Sequence, residues 1–183
     1  MTVINVPHKE EVSAENRKYF DFFMDRIGQV PNLYAMMSYA QQALESYLRL
    51  QNRKQELNHR EREAISLVLA TFHGSAYCLD SHTRTARLND FTDDQVTEIV
   101  AGTAVFDPRL DSLVRLAHSI VVTKGKPDSV LLENFFGTGY TAAHLVDLVL
   151  CIGDNTIANL LCKVMMIPND EDQRVVKVDG DPL

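Results

Sequence analysis

The sequence predicts an all-α fold, a single-domain helical bundle, and three observations carry the prediction. Apolar residues recur at three- and four-residue intervals, and no segment alternates strictly enough for a β-strand. Helix-capping residues precede these apolar runs, and glycine or proline follows them. The length of 183 residues and the 45% hydrophobic content fit one soluble globular domain. We expect this domain to span residues 1–168, and residues 169–183 to form a polar tail that is either disordered or docked on a neighbouring subunit.

The first helices are predicted from their end signals. Ser13 is placed to cap a helix that stops at Gly28. The sequence "VPN" then breaks the chain, and Asn32 is placed to cap one long helix that reaches about Arg53. This part of the chain is therefore expected to hold two helices.

The middle and end of the chain carry the clearest capping signatures. Asn58 and Glu61 form the pattern of a capping box for a helix that Gly74 should end, and a new helix should begin near Ser75. The later helix starts are marked by three further signals: Thr92 with Gln95, Asp107 before Pro108, and Thr141, whose helix Pro168 closes. Gly137 and Gly139 mark the preceding loop.

One internal repeat is visible. "FTDDQVTEIV" (91–100) and "YTAAHLVDLV" (140–149) share an aromatic residue, a threonine, two spacers and apolar residues flanking an acid. The match predicts two related helical hairpins about a pseudo-symmetry axis. The alternative is that any two capped amphipathic helices look alike.

Composition and charge exclude several classes of protein. A net charge of −7 and a pI near 5.3 argue against a nucleic-acid-binding role, which needs a basic surface. The N-terminus lacks the apolar stretch of a signal peptide, and no uninterrupted apolar run reaches the about 18 residues of a membrane helix. Three widely spaced cysteines do not suggest a disulfide framework, so a cytoplasmic protein is expected.

The segment "FHGSAYCLDSH" (72–82) holds the candidate chemistry. A helix that begins near Ser75 puts Cys78 in its first turn, where the helix dipole favours a thiolate. His82 follows four residues later on the same face, so it can accept the thiol proton or hold the thiolate. The alternative is a buried cysteine that acts as a small apolar residue. No metal is expected, because Cys78 and His82 supply only two ligands and no second pair completes a site.

The longer segment "NHREREAISLVLATFHGSAYCLDSHTRTARLNDFTDDQV" resembles the core of the alkylhydroperoxidase D-like, carboxymuconolactone decarboxylase family. That core has the form Glu, eleven residues, Cys-x-x-Cys, three residues, His. Glu63, Ser75, Cys78 and His82 occupy those four places. The likeness extends over about residues 27 to 168 and is greatest to the peroxidase-related subgroup.

The resemblance implies a helical homo-oligomer, a trimer or hexamer, that reduces hydroperoxides without a cofactor. In members with both cysteines, the second attacks the peroxide and the first resolves it as a disulfide. Carried over, Cys78 is the catalytic thiol, and His82 and Glu63 form the proton relay. The expected partners are a small hydroperoxide substrate and an external thiol reductant, with no nucleic acid and no membrane.

Two departures from the family pattern limit this chemistry. Ser75 occupies the place of the resolving cysteine and cannot form a disulfide, and Tyr77 stands where alkylhydroperoxidase D itself has a histidine. Turnover would therefore pass through a Cys78 sulfenic acid, reduced by an external thiol or by a distant cysteine such as Cys151 or Cys162.

The place of Glu63 depends on a bend in the chain. Along a straight helix, Glu63 would lie about 18 Å from Ser75. Contact with the thiol site then requires the chain to turn back near Gly74, or a neighbouring subunit to supply the acid. The alternative is an exposed acid in the first turn of its helix.

Three functions remain open from the sequence. The first is a thiol-dependent peroxidase-like oxidoreductase that uses Cys78. The second is a non-catalytic or redox-sensing helical scaffold, which the loss of the resolving cysteine favours. The third is a decarboxylase-like lyase acting on a small acidic lactone, for which Arg84, Arg87 and His82 are the candidate groups.

Overall fold

A computed structural model of the chain describes residues 4–170. Over that range it has nine α-helices, a short 3₁₀ turn at Lys9–Glu11 and no β-strand. The helices are α1 (Ala14–Ile27), α2 (Asn32–Met37), α3 (Ala43–Gln51), α4 (His59–His73), α5 (Ala76–Leu88), α6 (Asp93–Val100), α7 (Pro108–Val122), α8 (Ser129–Gly137) and α9 (Ala142–Val164). The predicted all-α class is confirmed.

The helices belong to two compact units. Among the described residues, one unit holds residues 4–53 together with residues 161–170, and the other is the continuous segment from Lys54 to Leu160. The first contains α1 to α3, and the second contains α4 to α8 and most of α9. The single domain over residues 1–168 stays a prediction. Of the predicted tail, residues 171–183 lie outside the described residues.

The unit from Lys54 to Leu160 is built on one apolar core. Side chains from four of its helices have no solvent exposure: Ile65, Leu67 and Leu69 of α4, Leu113 and Leu116 of α7, Phe135 of α8 and Leu148 of α9. Burying each side chain of this size stabilises the fold by about 1.5–3 kcal/mol. The core therefore fixes α4, on which part of the candidate site lies.

Hydrogen bonds of Glu61 with Asn58 and Tyr140 stabilise the first turn of α4. The side chain of Asn58 accepts a hydrogen bond from the Glu61 backbone N–H at 2.9 Å, and Glu61 Oε2 accepts one from the Asn58 N–H at 2.9 Å. The Tyr140 hydroxyl donates to Glu61 Oε1 at 2.8 Å. The predicted capping box is confirmed. Glu61 is buried because it serves this cap and the tyrosine together.

A tight turn joins α4 to α5. Gly74 adopts a left-handed conformation with φ of 63°, and the Ser75 N–H donates to the Ala70 carbonyl at 3.0 Å. This backbone favours glycine, since a Cβ atom in the left-handed region is strained. Ser75 then caps α5, as the sequence predicts. The chain reverses here, so α4 and α5 form a hairpin.

The single long helix predicted after the "VPN" break is wrong. The structure has α2 and α3 instead, and Pro31 rather than Asn32 is the N-cap of α2. The Ser38 hydroxyl donates to the Ala35 carbonyl at 2.5 Å, and the buried Asn16 amide donates to the Ser38 carbonyl at 2.9 Å. The helix ends there because Asn16, from α1, takes a carbonyl that a continuing helix would use.

The remaining end signals agree with the structure in part. Ser13 caps α1, Gly28 ends it, and Thr92 forms the capping box of α6 with Gln95. Gly137, which was predicted to lie in a loop, is the last residue of α8, and α9 ends at Val164, four residues before Pro168. Helix α8 was not predicted, although Asp128 accepts a hydrogen bond from the Val130 N–H at 2.8 Å and so begins it. The pseudo-symmetric relation of the two repeated segments stays a prediction.

Helix α9 is long and apolar. By length and composition it is apolar enough to cross a membrane, and less than half of its most apolar stretch is buried. One such helix is weak evidence, since core helices of soluble proteins have the same composition. Its inward face carries buried polar residues, including Asp147 and Asp154, which a lipid-embedded helix avoids.

Candidate functional site

Cys78 lies in the first turn of α5, where the sequence predicted it. The Ser75 hydroxyl accepts a hydrogen bond from the Cys78 backbone N–H at 3.3 Å, and both residues are only 2% exposed. Ser75 therefore caps the helix that carries Cys78. The positive end of the helix dipole favours a negative charge in this turn.

His82 and Glu63 meet across the hairpin of α4 and α5. His82 Nδ1 lies 3.0 Å from Glu63 Oε2, and their side chains are 23% and 16% exposed. Because an ionised carboxylate only accepts hydrogen bonds, Nδ1 is the donor, and Nε2 remains the ring nitrogen for proton exchange. The turn at Gly74 produces this contact within one chain. Glu63 is thus neither distant from the site nor an exposed first-turn acid.

The charges around His82 favour its protonated form. Burial is the largest influence and by itself lowers the pKa of His82. The charge of Glu63 and its hydrogen bond, and then the charges of Cys78 and Asp154, act in the other direction. Together they outweigh burial, so the pKa of His82 is raised above its ordinary value. The site therefore favours an imidazolium close to the thiol.

Asp154 is a neighbour of the site that the sequence analysis did not select. It is 8% exposed and lies in the middle of α9. Its signal in the sequence is an acidic residue inside an otherwise apolar helix. Spacing along the chain gives no sign that its charge acts on His82.

The basic residues proposed for lactone chemistry have other partners. Arg84 forms an ion pair with Asp80 at 2.8 Å, and Arg87 forms one with Asp93 at 2.8 Å. The four charges and bonds that raise the pKa of His82 come from acidic groups. The groups around His82 are therefore acidic, whereas a site that binds a carboxylate needs basic groups.

The other two cysteines lie on α9. Cys151 is 4% exposed, belongs to the core of the second unit and accepts a weak hydrogen bond from Asn155 Nδ2 at 3.5 Å. Cys162 is equally buried but belongs to the other unit. Their suggested part in resolving an oxidised Cys78 stays a prediction. Within residues 4–170, no group of three or more His, Cys, Asp or Glu side chains is arranged to hold a metal ion.

The segment that matches a known protein family contains the residues of the candidate site. Residues 38–119 match the model of the carboxymuconolactone decarboxylase family. This segment is similar to that family. It contains Glu63, Cys78 and His82 and covers α3 to α6 with most of α7. The family resemblance predicted from the sequence is thereby confirmed, and none of the curated proteins matches the chain.

Solved structures extend the similarity of fold to most of the chain. A peroxidase-related protein from Silicibacter sp. TM1040 matches with a TM-score of 0.81 and 19% identity over 93% of each chain. A peroxidase-related protein with an alkylhydroperoxidase AhpD core, from Ralstonia eutropha JMP134, gives 0.82 and 15% over 92% of each. The debrominase Bmp8 gives 0.70 and 12%, over 86% of this chain and 87% of the other. At these identities the likeness shows the alkylhydroperoxidase D-like helical fold alone.

Proposed function

We propose that this protein is a thiol-dependent peroxidase-like oxidoreductase that reduces small hydroperoxides through Cys78. The observation that carries the proposal is the Glu63–His82 pair, joined at 3.0 Å on the same hairpin that presents Cys78. A thiol is activated when its cysteine lies at a helix N-terminus beside a histidine that favours its protonated form. The peroxidase-related proteins that share the fold support the same chemistry.

The proposed cycle needs one protein thiol and two equivalents of an external thiol. The Cys78 thiolate attacks the terminal peroxide oxygen, the O–O bond breaks, and Cys78 becomes a sulfenic acid. The departing alkoxide takes a proton, which His82 is placed to supply, and leaves as an alcohol. An external thiol then forms a mixed disulfide with Cys78 and releases water, and a second one restores the thiol and leaves as a disulfide.

A non-catalytic or redox-sensing scaffold is the second candidate, and the burial of Cys78 favours it. At 2% exposure the residue is also consistent with a cysteine that only fills the core. The fold hosts a debrominase as well, so fold alone does not select a peroxide as the substrate. The lyase remains the weakest alternative, because the acidic surroundings of His82 oppose a small acidic lactone.

The experiment that tests the proposal measures hydroperoxide consumption with an excess of a small thiol. The native protein should consume cumene hydroperoxide catalytically, and Cys78→Ser should abolish this. Cys151→Ser is the matched control, since it removes another buried thiol and should retain turnover. After peroxide treatment without reductant, mass spectrometry should find one added oxygen on the peptide with Cys78. Absence of turnover and of oxidation at Cys78 would favour the scaffold.

We further propose that the protein forms a homo-oligomer, a trimer or hexamer, in the cytoplasm. The outward face of α9 supports self-association, because it exposes a row of large apolar side chains on both sides of Gly153. These are Val146, Val149, Leu150, Ile157 and Leu160, each at least 38% exposed. Apolar rows of this kind commonly mark protein interfaces.

A further inference from the structure

A cavity of about 730 Å³ is lined by α7, α8 and the turn that follows α8. Its volume falls within the range of about 300–1,000 Å³ that is typical of small-molecule sites. Among the described residues, none from α4 or α5 lines it, so it is separate from the residues of the Cys78 site. The polar residues of the lining are Asp111, Ser112, Arg115, Glu133, Asn134 and Thr138.

Arg115 presents a guanidinium group that is only partly engaged. Its Nε donates to Asp111 Oδ2 at 2.6 Å, which holds the arginine side chain along α7. Asp111 Oδ1 accepts the Ala104 N–H at 2.7 Å, so each oxygen of this carboxylate already has a partner. Within residues 4–170, the two terminal nitrogens of Arg115 have no protein partner. They form a fork that fits the two oxygens of a carboxylate.

Two hydroxyl groups of the lining are placed to accept hydrogen bonds from a ligand. The Ser112 hydroxyl donates to the Arg109 carbonyl at 2.8 Å. The Thr138 hydroxyl donates to the Phe135 carbonyl at 3.0 Å. The two hydroxyl oxygens lie 2.7 Å apart. Because each hydroxyl has one proton and that proton is directed at a protein oxygen, the lone pairs remain for an N–H group of a ligand.

The charges of the lining are mixed. Arg115 is the one cation among the described lining residues, and Asp111 and Glu133 are its two acids. Glu133 is exposed and has no protein partner within residues 4–170, so its carboxylate is available to a cation. A ligand that carries only negative charge is therefore disfavoured, although Arg115 offers a place for one carboxylate.

We propose that this cavity binds a small zwitterion, an amino acid or short peptide that carries both a carboxylate and an ammonium group. Arg115 pairs with the carboxylate of the ligand, and Glu133 pairs with its ammonium group. The hydroxyls of Ser112 and Thr138 accept further N–H bonds from the ligand. This binding is independent of the proposed peroxidase chemistry, because no group of the Cys78 site takes part in it.

Binding is tested by isothermal titration calorimetry of the full-length protein with the dipeptide alanylglutamine. The native protein should bind it with a dissociation constant below about 1 mM. Arg115→Gln should weaken binding by about 10–100-fold, which corresponds to the loss of hydrogen bonds to a charged group. Glu133→Gln should weaken it by about two- to fivefold, since an exposed ion pair contributes less.

Two further variants separate the loss of a contact from a loss of the fold. Arg49→Gln is the matched control, because Arg49 makes the same four-residue ion pair with Glu45 at 2.7 Å on α3 and should not affect binding. Gly137→Leu acts on the cavity itself. A Cβ atom at Gly137 meets no atom within 4 Å, so a side chain there has room and reduces the volume of the cavity. This variant should fold, as circular dichroism checks, and should lose most of the binding.

Blocked forms of the dipeptide test the need for both charges. N-acetylalanylglutamine keeps the carboxylate without the ammonium group, and alanylglutamine amide keeps the ammonium group without the carboxylate. Both should bind more weakly than the parent dipeptide. The inference would be overturned by a native protein that does not bind the dipeptide, by a blocked form that binds equally well, or by full binding in a folded Gly137→Leu. If Arg115→Gln does not fold, Gly137→Leu and the blocked forms decide.

Discussion

His82 Nδ1 lies 3.0 Å from Glu63 Oε2, although nineteen positions separate the two residues in the chain. The contact exists because α4 ends at the left-handed Gly74 and α5 begins directly afterwards, so the two helices run back along each other. An acid and a histidine that spacing alone would hold far apart thus become one hydrogen-bonded pair beside Cys78.

Glu63→Gln should weaken the site while keeping its shape. The amide retains a hydrogen-bonding oxygen but loses the charge that favours the imidazolium, so the pKa of His82 should fall. The rate of Cys78 oxidation by hydroperoxide should drop by about 10–100-fold, which is less than the about 100–10,000-fold typical of a general acid or base, because Glu63 acts through His82. Stopped-flow kinetics and NMR titration measure the two quantities. Asp94→Asn, an exposed acid on α6, should change neither, and a full rate in Glu63→Gln would remove Glu63 from the relay.

The raised pKa of His82 predicts a pH dependence of stability. The folded state binds the His82 proton more tightly than the unfolded chain, so protonation stabilises the fold. This contribution is fully present below the unfolded pKa of about 6.5 and is lost as the pH rises through the raised folded value.

Urea denaturation of the native protein and His82→Gln measures this contribution. The difference in free energy of unfolding between the two proteins should be greater at pH 5.5 than at pH 9. A difference that stays constant with pH would mean that the contacts of His82 matter only through packing. A difference that grows towards pH 9 would mean that the pKa of His82 is lowered.

Local signals in the sequence predicted much of the fold and failed where tertiary contacts decide. The Asn58–Glu61 capping box was predicted because both partners lie within one helical turn. The break between α2 and α3 was missed, because it depends on Asn16 reaching Ser38 from another helix. Helix α8 was also not predicted, although its Asp128 cap is a local signal.

The same distinction holds for the candidate site. Cys78 and His82 were found from their four-residue spacing, whereas Glu63 needed the family resemblance, since spacing argued for separation. Asp154 was not selected, although its charge acts on His82. No pattern within one helix carries that information.

Ser75→Cys should restore a resolving thiol. Ser75 caps α5 three residues before Cys78, and the family resemblance implies that a resolving cysteine would stand at this place. After one equivalent of hydroperoxide, the sulfenic acid on Cys78 should condense with the new thiol into a disulfide and release water. Mass spectrometry should find a loss of two hydrogens relative to the reduced variant.

The Ser75→Cys substitution should also lower the stability of the fold. Losing the hydroxyl cap should lower the free energy of unfolding by about 1 kcal/mol, which urea denaturation measures. Ala76→Cys is the matched control, since its thiol sits one position further along and should not pair efficiently. Stable sulfenic acid in Ser75→Cys would mean that the backbone here does not support the family's disulfide.

The apolar row on α9 predicts a change of assembly. Ile157 is 48% exposed at the middle of the row, so Ile157→Glu places a charge in any interface formed there and should release monomers. Light scattering with size-exclusion chromatography measures the mass. Lys126→Glu, at an exposed loop position, is the control and should leave the assembly intact. A native protein that is already monomeric would contradict the oligomer proposal.

The negative surroundings of His82 predict a preference for uncharged substrates. The Glu63 and Asp154 charges act on the ring, so an anionic peroxide that approaches Cys78 meets repulsion in a region of low dielectric. Cumene hydroperoxide should therefore react faster than the same molecule carrying a ring carboxylate, by about tenfold or more at low salt. The ratio of the two rates should be smaller in Asp154→Asn, because one of the charges that repel the anionic peroxide is removed. An equal rate for both substrates would mean that the peroxide reaches the thiol without passing these carboxylates.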